Sequence, residues 1–165
     1  MKTTINSKVD LGALAQYQND EVVDRFMNAY EVDEEDARLI FDDMKCFLAL
    51  TIQYPEEEIL LPNSILVIDE MWHTFLMFTR DYQAFCRAHF GCMIHHEPTP
   101  KAEKIALQKE IEIDRAAVTE KAQKDAKHFY GLIYDFLGGK VLVRWIEYYG
   151  KKYTKEYLNS IRKPI

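Results

Sequence analysis

The sequence predicts an all-α protein, a single compact domain of about six to eight helices spanning residues 1–165. Hydrophobic residues recur at spacings of three and four along almost the whole chain, which is the period of a helix. Hydrophobic residues make up 48% and aromatic residues 13% of the chain, enough to bury a core and to exclude intrinsic disorder. Only 6 glycines and 5 prolines occur in 165 residues, which argues against a turn-rich β fold. The length suits one domain.

Two helices are predicted in the first third of the chain. Asp20 is a candidate N-cap for the first, and Asp33 is a candidate N-cap for the second, which should end before Pro55. The face of the first helix comprises Val22, Val23, Phe26, Met27 and Tyr30. Residues 56–64 form a connection that ends in a turn at Pro62-Asn63-Ser64.

An aromatic segment follows from Ile65 to Phe90. It is predicted to be helical, with Gly91 at the position of a helix C-cap. The β-branched run at 65–68 leaves a short strand open as an alternative at its start. Residues 91–100 contain two prolines and are predicted to be a loop.

The last third of the chain is predicted to be helical as well. A highly charged helical pattern extends from 101 to about 137, with a candidate break near Asp114. Gly138-Gly139 should end it. Two shorter helices are expected around 141–149 and 154–161.

The charge pattern argues against nucleic acid as a partner. The formal net charge is −6, and phosphates would repel an acidic chain. Lysines and tyrosines interleave between Lys140 and Lys163, a mixture that can bind single strands. An amphipathic helix with buried tyrosines and solvated lysines explains this mixture better. Residues 1–100 are predominantly acidic and 101–165 predominantly basic, which favours a protein partner or self-association.

The sequence predicts a cytoplasmic protein without a membrane segment. The apolar runs are only a few residues long, and residues 1–17 lack the apolar stretch of a signal peptide. The three cysteines, an odd number, are expected to be reduced thiols.

Carboxylate, imidazole and thiol side chains cluster within residues 65–98, predicted to be a helical hairpin followed by a His-His loop. On a helix, Asp69 and His73 are one turn apart on the same face. Such side chains are the protein ligands of zinc and of non-haem iron. The candidate metal ligands are Asp69, His73, Cys86, His95 and His96.

Helix geometry limits which of these side chains can share an ion. In one straight helix His73 and Cys86 would lie about 20 Å apart. A site that includes His73 therefore requires a bend near Thr79, or a ligand from another helix such as His128.

Two hypotheses for the function follow, and the sequence leaves it open whether the chain is an enzyme. In the first, the cluster binds zinc or iron with an open position, and Glu70 or Glu97 is a candidate base. In the second, the chain is a non-catalytic interaction module, and the same cluster is a structural hydrogen-bond network. Nucleophilic catalysis by Cys86 is a weaker hypothesis than these two, because no glycine-rich turn adjoins Cys86 to form an oxyanion hole.

The string VIDEMWHTFLMFTRDYQAFCRAHFGCMIHHEPTP resembles the glycine-rich domain-containing protein-like family. The matching positions are Asp69, Trp72, His73, Tyr82, Cys86, Gly91, His95, His96 and Pro98. Phe75 stands where plant members commonly have a second histidine, and a glycine-rich tail is missing. The resemblance implies that the Asp-Trp-His and His-His-x-Pro pieces belong to one site, with Trp72, Tyr82, Gly91 and Pro98 as its structural support. It implies no particular reaction.

Overall fold

Helices account for nearly all of the regular structure in residues 9–57, 59 and 61–164, which the computed structural model describes. Within these residues there is no β-strand, and an isolated antiparallel bridge joins Tyr30 to Arg162. The predicted all-α fold class is confirmed. No helix in these ranges is both long and apolar enough to cross a membrane.

The helices follow one another with short connections. They are α1 Leu11–Gln16, α2 Asp20–Ala29, α3 Glu34–Gln53, α4 Leu66–Leu76, α5 Thr79–Phe90, α6 Lys101–Ile113, α7 Arg115–Leu137, α8 Gly139–Val143, α9 Gly150–Lys152 and α10 Lys155–Ile161. A 3-10 turn, Asn63–Ile65, precedes α4, and a π-helical turn, Arg144–Tyr149, joins α8 to α9. Helix α1 was not predicted from the sequence. The segment 65–68 is helical and not a strand.

Side-chain caps determine where α2 and α3 begin. Asp33, the predicted cap of α3, accepts a hydrogen bond from the backbone N–H of Asp36 at 2.8 Å. The cap of α2 is Asn19, which accepts from Val22 N–H at 3.2 Å. The prediction of Asp20 as that cap was wrong by one residue. Asp20 is the first residue of α2, where its charge still favours the helix N-terminus.

The predicted helix ends at Gly91, Asp114 and Gly138 are confirmed. Gly91 follows α5 with φ of 69°, a left-handed conformation that suits glycine. Asp114 separates α6 from α7 and caps α7 through the backbone N–H of Ala117. Gly138, with φ of 88°, ends α7.

Helix α3 is the centre of the core. It packs against α1, α2, α4 and α7, and eleven of its twenty residues are buried. Its fully buried apolar side chains include Ile40, Phe41, Met44, Leu48 and Leu50. In contrast, α6 contains no buried residue.

Two buried carboxylates of α3 hold the C-terminal helices in place. Asp43 receives a bidentate pair of hydrogen bonds from Arg144, at 2.6 and 2.5 Å, and a third bond from the Tyr149 hydroxyl at 2.6 Å. Asp36, about two turns earlier on α3, accepts from Lys152 at 2.5 Å and Tyr153 at 2.6 Å. Such charge-assisted bonds offset the cost of burying the carboxylates.

Candidate metal centre

A sharp turn between α4 and α5 brings the two halves of the motif together. Helix α4 ends at Leu76, the backbone N–H of Phe78 donates to Phe75 O at 2.9 Å, and α5 begins at Thr79. The bend that a His73 site required is therefore present. Thr79 is the first residue of α5, and the N-cap is Phe78, which makes no side-chain capping hydrogen bond, so the turn depends on the backbone.

The loop after α5 is fastened back onto α4 by Tyr82. The Tyr82 hydroxyl accepts a hydrogen bond from Trp72 Nε1 at 3.0 Å and donates one to Ile94 O at 2.7 Å. Its side chain is almost completely buried. Together with the left-handed turn at Gly91, this relay determines the course of the loop that carries His96.

The structure brings Asp69, His73 and His96 into one group. Nε2 of His96 lies 2.7 Å from Oδ1 of Asp69, and its N–H donates a hydrogen bond to that oxygen. Nδ1 of His73 lies 3.9 Å from Oδ2 of Asp69. One ligand atom from each residue lies within 4.8 Å of the others. The His73 side chain is 48% exposed, whereas those of His96 and Asp69 are 15% and 21% exposed.

Aromatic contacts restrict the His96 ring. Its centroid lies 4.3 Å from that of Trp72 and 4.4 Å from that of His73. Trp72 is itself held by the hydrogen bond to Tyr82. The ring of His96 is thus packed on one side and hydrogen-bonded at Nε2, and the side of the group at His73 is open to solvent.

The donor atoms fit a transition metal after a small closure. Bonds of 2.0–2.2 Å place neighbouring ligand atoms of a tetrahedral ion roughly 3.4 Å apart. The separations of 2.7 Å from His96 Nε2 to Asp69 Oδ1 and of 3.9 Å from His73 Nδ1 to the other carboxylate oxygen, Oδ2, lie on either side of that value. Because His73 is half-exposed, rotation of its side chain can supply the closure.

Glu70 lies beside this group but is held from the opposite side. Its Oε2 accepts from the Tyr30 hydroxyl at 2.5 Å and from Arg162 Nη2 at 3.2 Å, and it lies 3.9 Å from His73 Nδ1. Burial, the hydrogen bond to Glu70 and the charge of Glu70 raise the pKa of Tyr30 to about 12, although Arg162 opposes them. No local pattern in the sequence pointed to Tyr30 or Arg162 here, since they lie 40 and 92 residues from Glu70.

Two of the five predicted ligands are not part of the group. Among the described residues, the group of mutually close ligand atoms comprises Asp69, His73 and His96 and does not contain Cys86 or His95. Cys86 is fully buried in the core, and burial raises the pKa of its thiol, which disfavours the thiolate that binds metals. His95 is exposed, because adjacent loop residues point in opposite directions.

Other predicted residues have different surroundings. Pro98 and Glu97 are exposed in the loop. His128, the alternative ligand from another helix, instead pairs with Glu57 at 2.9 Å. Asp69 and His73 lie one turn apart on α4, but at 3.9 Å they form no direct hydrogen bond, and the partner of Asp69 is His96.

The fold and site define an all-α protein with an Asp-His-His group on a helical hairpin and its returning loop. The family described as UCP032817-like matches residues 11–124, and the chain belongs to this uncharacterised family. This finding corrects the resemblance to the glycine-rich domain-containing protein-like family, which rested on a motif of about 30 residues. No curated protein and no solved structure matches the chain.

Proposed function

We propose that this protein binds one divalent transition-metal ion, zinc or ferrous iron, through Asp69, His73 and His96. The observation that supports this most is the meeting of one ligand atom from each residue within 4.8 Å. Asp69 and His73 lie on α4, whereas His96 lies in the loop after α5, 23 positions beyond His73. A tertiary contact therefore assembles two imidazoles and a carboxylate, a donor set that suits both ions.

Each residue has a defined task in the proposed site. Asp69 supplies the negative charge, and its hydrogen bond already orients His96. For His96 Nε2 to hold the ion, the single proton of the neutral ring would be on Nδ1. Protons compete with the ion for the imidazoles and the carboxylate, so binding should weaken as the pH falls. His73, on the open side, completes the set. With three protein ligands, a bound ion would keep an open position, where zinc would supply Lewis-acid chemistry and iron would supply redox chemistry.

Metal content and affinity test the proposal. Protein purified without a histidine tag should hold about one equivalent of metal by mass spectrometry, and after chelation it should bind zinc or ferrous iron again in calorimetry. His73→Ala should lose at least tenfold in affinity and keep its helical circular dichroism, because His73 is half-exposed. His128→Ala is the matched control, since this exposed histidine lies outside the group. Unchanged affinity in His73→Ala would remove His73 from the site.

A second candidate function is the non-catalytic interaction module, in which the same group is a structural network. The 2.7 Å hydrogen bond between His96 and Asp69 and the packing of His96 on Trp72 support it, because both are contacts between protein side chains alone. In this case chelator leaves the melting temperature unchanged, whereas His96→Ala lowers it. A melting temperature that rises with zinc and returns with chelator would contradict it.

A protein partner or self-association stays a prediction, supported by the opposite charge of the two parts of the chain. Sedimentation at rising salt concentration tests it, because association between unlike charges should weaken with salt. A cytoplasmic location also stays a prediction. The three free cysteines support it, since they suit a reducing compartment.

A further inference from the structure

The C-terminal segment delivers Arg162 to the edge of the metal group. The backbone N–H of Glu31 donates to Ile161 O, and that of Lys163 donates to Ala29 O, both at 2.8 Å. The Arg162 guanidinium lies over the ring of Tyr30, 5.4 Å from its centroid. Backbone pairing and stacking therefore hold a long side chain, which would otherwise be free, in a fixed place.

The Arg162 guanidinium makes its hydrogen bonds to side chains through one of its three nitrogens. Both of its hydrogen bonds, to the Tyr30 hydroxyl at 2.6 Å and to Glu70 Oε2 at 3.2 Å, come from Nη2. Within the described ranges, Nε and Nη1 of Arg162 make no side-chain hydrogen bond or ion pair, and the side chain is 56% exposed. These two nitrogens are donors that can bind an oxyanion.

Arg162 and His73 are neighbours through one shared atom. Glu70 Oε2 lies 3.2 Å from Arg162 Nη2 and 3.9 Å from His73 Nδ1. Both the guanidinium and the exposed imidazole therefore border the same carboxylate oxygen. A metal held by His73 would lie within the reach of a small molecule that contacts the guanidinium.

The charges favour an anion in this place. Glu70 compensates Arg162, and Asp69 compensates only half of the charge of a divalent ion, so the loaded group is positive by about one unit. We infer that the open side of the proposed metal site, together with Arg162, binds a small oxyanion, the carboxylate or phosphate group of a substrate. This inference rests on the proposed metal binding.

Calorimetry on the zinc-loaded full chain tests the inference, with inorganic phosphate and malonate as separate probes. Arg162→Gln should weaken the binding of the preferred probe by about tenfold or more, because a charge-assisted hydrogen bond is lost. Arg162→Lys should restore part of it. Arg38→Gln is the matched control, since Arg38 is also partly exposed and paired with carboxylates, Asp20 and Glu34. The tighter probe tells whether the group is a phosphate or a carboxylate.

A second variant separates anion binding from structural loss. Glu70→Gln removes the charge that compensates Arg162, so it should tighten anion binding, opposite to Arg162→Gln. Both variants should still bind zinc. Equal anion affinity in Arg162→Gln and the unmodified chain would overturn the inference and leave the metal site intact. No zinc binding by the unmodified chain would instead overturn the proposed function, and the inference with it.

Discussion

Replacing Tyr82 by phenylalanine tests whether the relay from Trp72 through Tyr82 to Ile94 holds the loop. The change removes the hydroxyl and keeps the ring, so it leaves the packing of this buried side chain in place. It breaks two hydrogen bonds, of 3.0 and 2.7 Å. The buried Trp72 N–H and the partly buried Ile94 carbonyl then lose their hydrogen-bond partner.

The size of the effect follows from these two bonds. Each contributes about 1 kcal/mol net, so the free energy of unfolding should fall by about 2 kcal/mol. For a chain of this length, that corresponds to a melting temperature lower by about 4–8 °C. Urea unfolding followed by circular dichroism measures the free energy directly.

A control and a second measurement complete the test. Tyr134→Phe makes the same chemical change on a side chain that is 60% exposed, and it should leave the free energy of unfolding within about 0.5 kcal/mol. If the loop positions His96, Tyr82→Phe should also weaken zinc binding by about tenfold. A loss of stability below 0.5 kcal/mol for Tyr82→Phe, by the same criterion, would refute the reasoning.

Three further predictions concern acid stability, the loop turn and thiol reactivity. Burial alone would raise the pKa of the Asp36 carboxyl, but hydrogen bonds, of which the one from Lys152 is the largest contribution, lower it. The stability that the ionised carboxylate gives the fold is therefore present above about pH 4 and is lost as the pH falls further. Asp36→Asn should lower stability at pH 7 and flatten the decline below pH 4 in acid titrations of urea unfolding; an unchanged profile would contradict this. Gly91→Ala should cost about 1 kcal/mol in the same assay because of the positive φ, and a neutral result would argue against the left-handed turn. Burial, then Asp43, raises the pKa of Cys46 to about 11, so iodoacetamide at pH 8 should modify it at least tenfold more slowly than a free thiol, as peptide mass spectrometry can measure.

Several features of the site could be predicted from nearby residues alone. Asp69 and His73 share a face of α4 because they are four residues apart on a helix. Gly91 ends α5 because glycine adopts a positive φ without strain. The choice among the ligands could not be predicted. His95 and His96 are adjacent and chemically identical, and only the packing against Trp72 selects His96.

For the same reason, the predicted candidate ligands outnumber the residues that the structure brings together. Cys86 lies on α5, four residues after Tyr82. From the sequence alone, a cysteine in such a motif can be either a metal ligand or a buried core residue. The structure shows it fully buried. The short motif was likewise insufficient to identify the family, which the match over residues 11–124 determines.

The sequence by itself determined the helical fold class and most helix ends, because hydrophobic period, side-chain caps and glycine turns act over three or four residues. Only the tertiary structure decided which side chains meet at the site. His96 reaches Asp69 across 27 residues, and Arg162 reaches Glu70 across 92. Such contacts depend on how the turn after α4, the Tyr82 relay and the C-terminal bridge place whole segments, and no local preference of the chain encodes them.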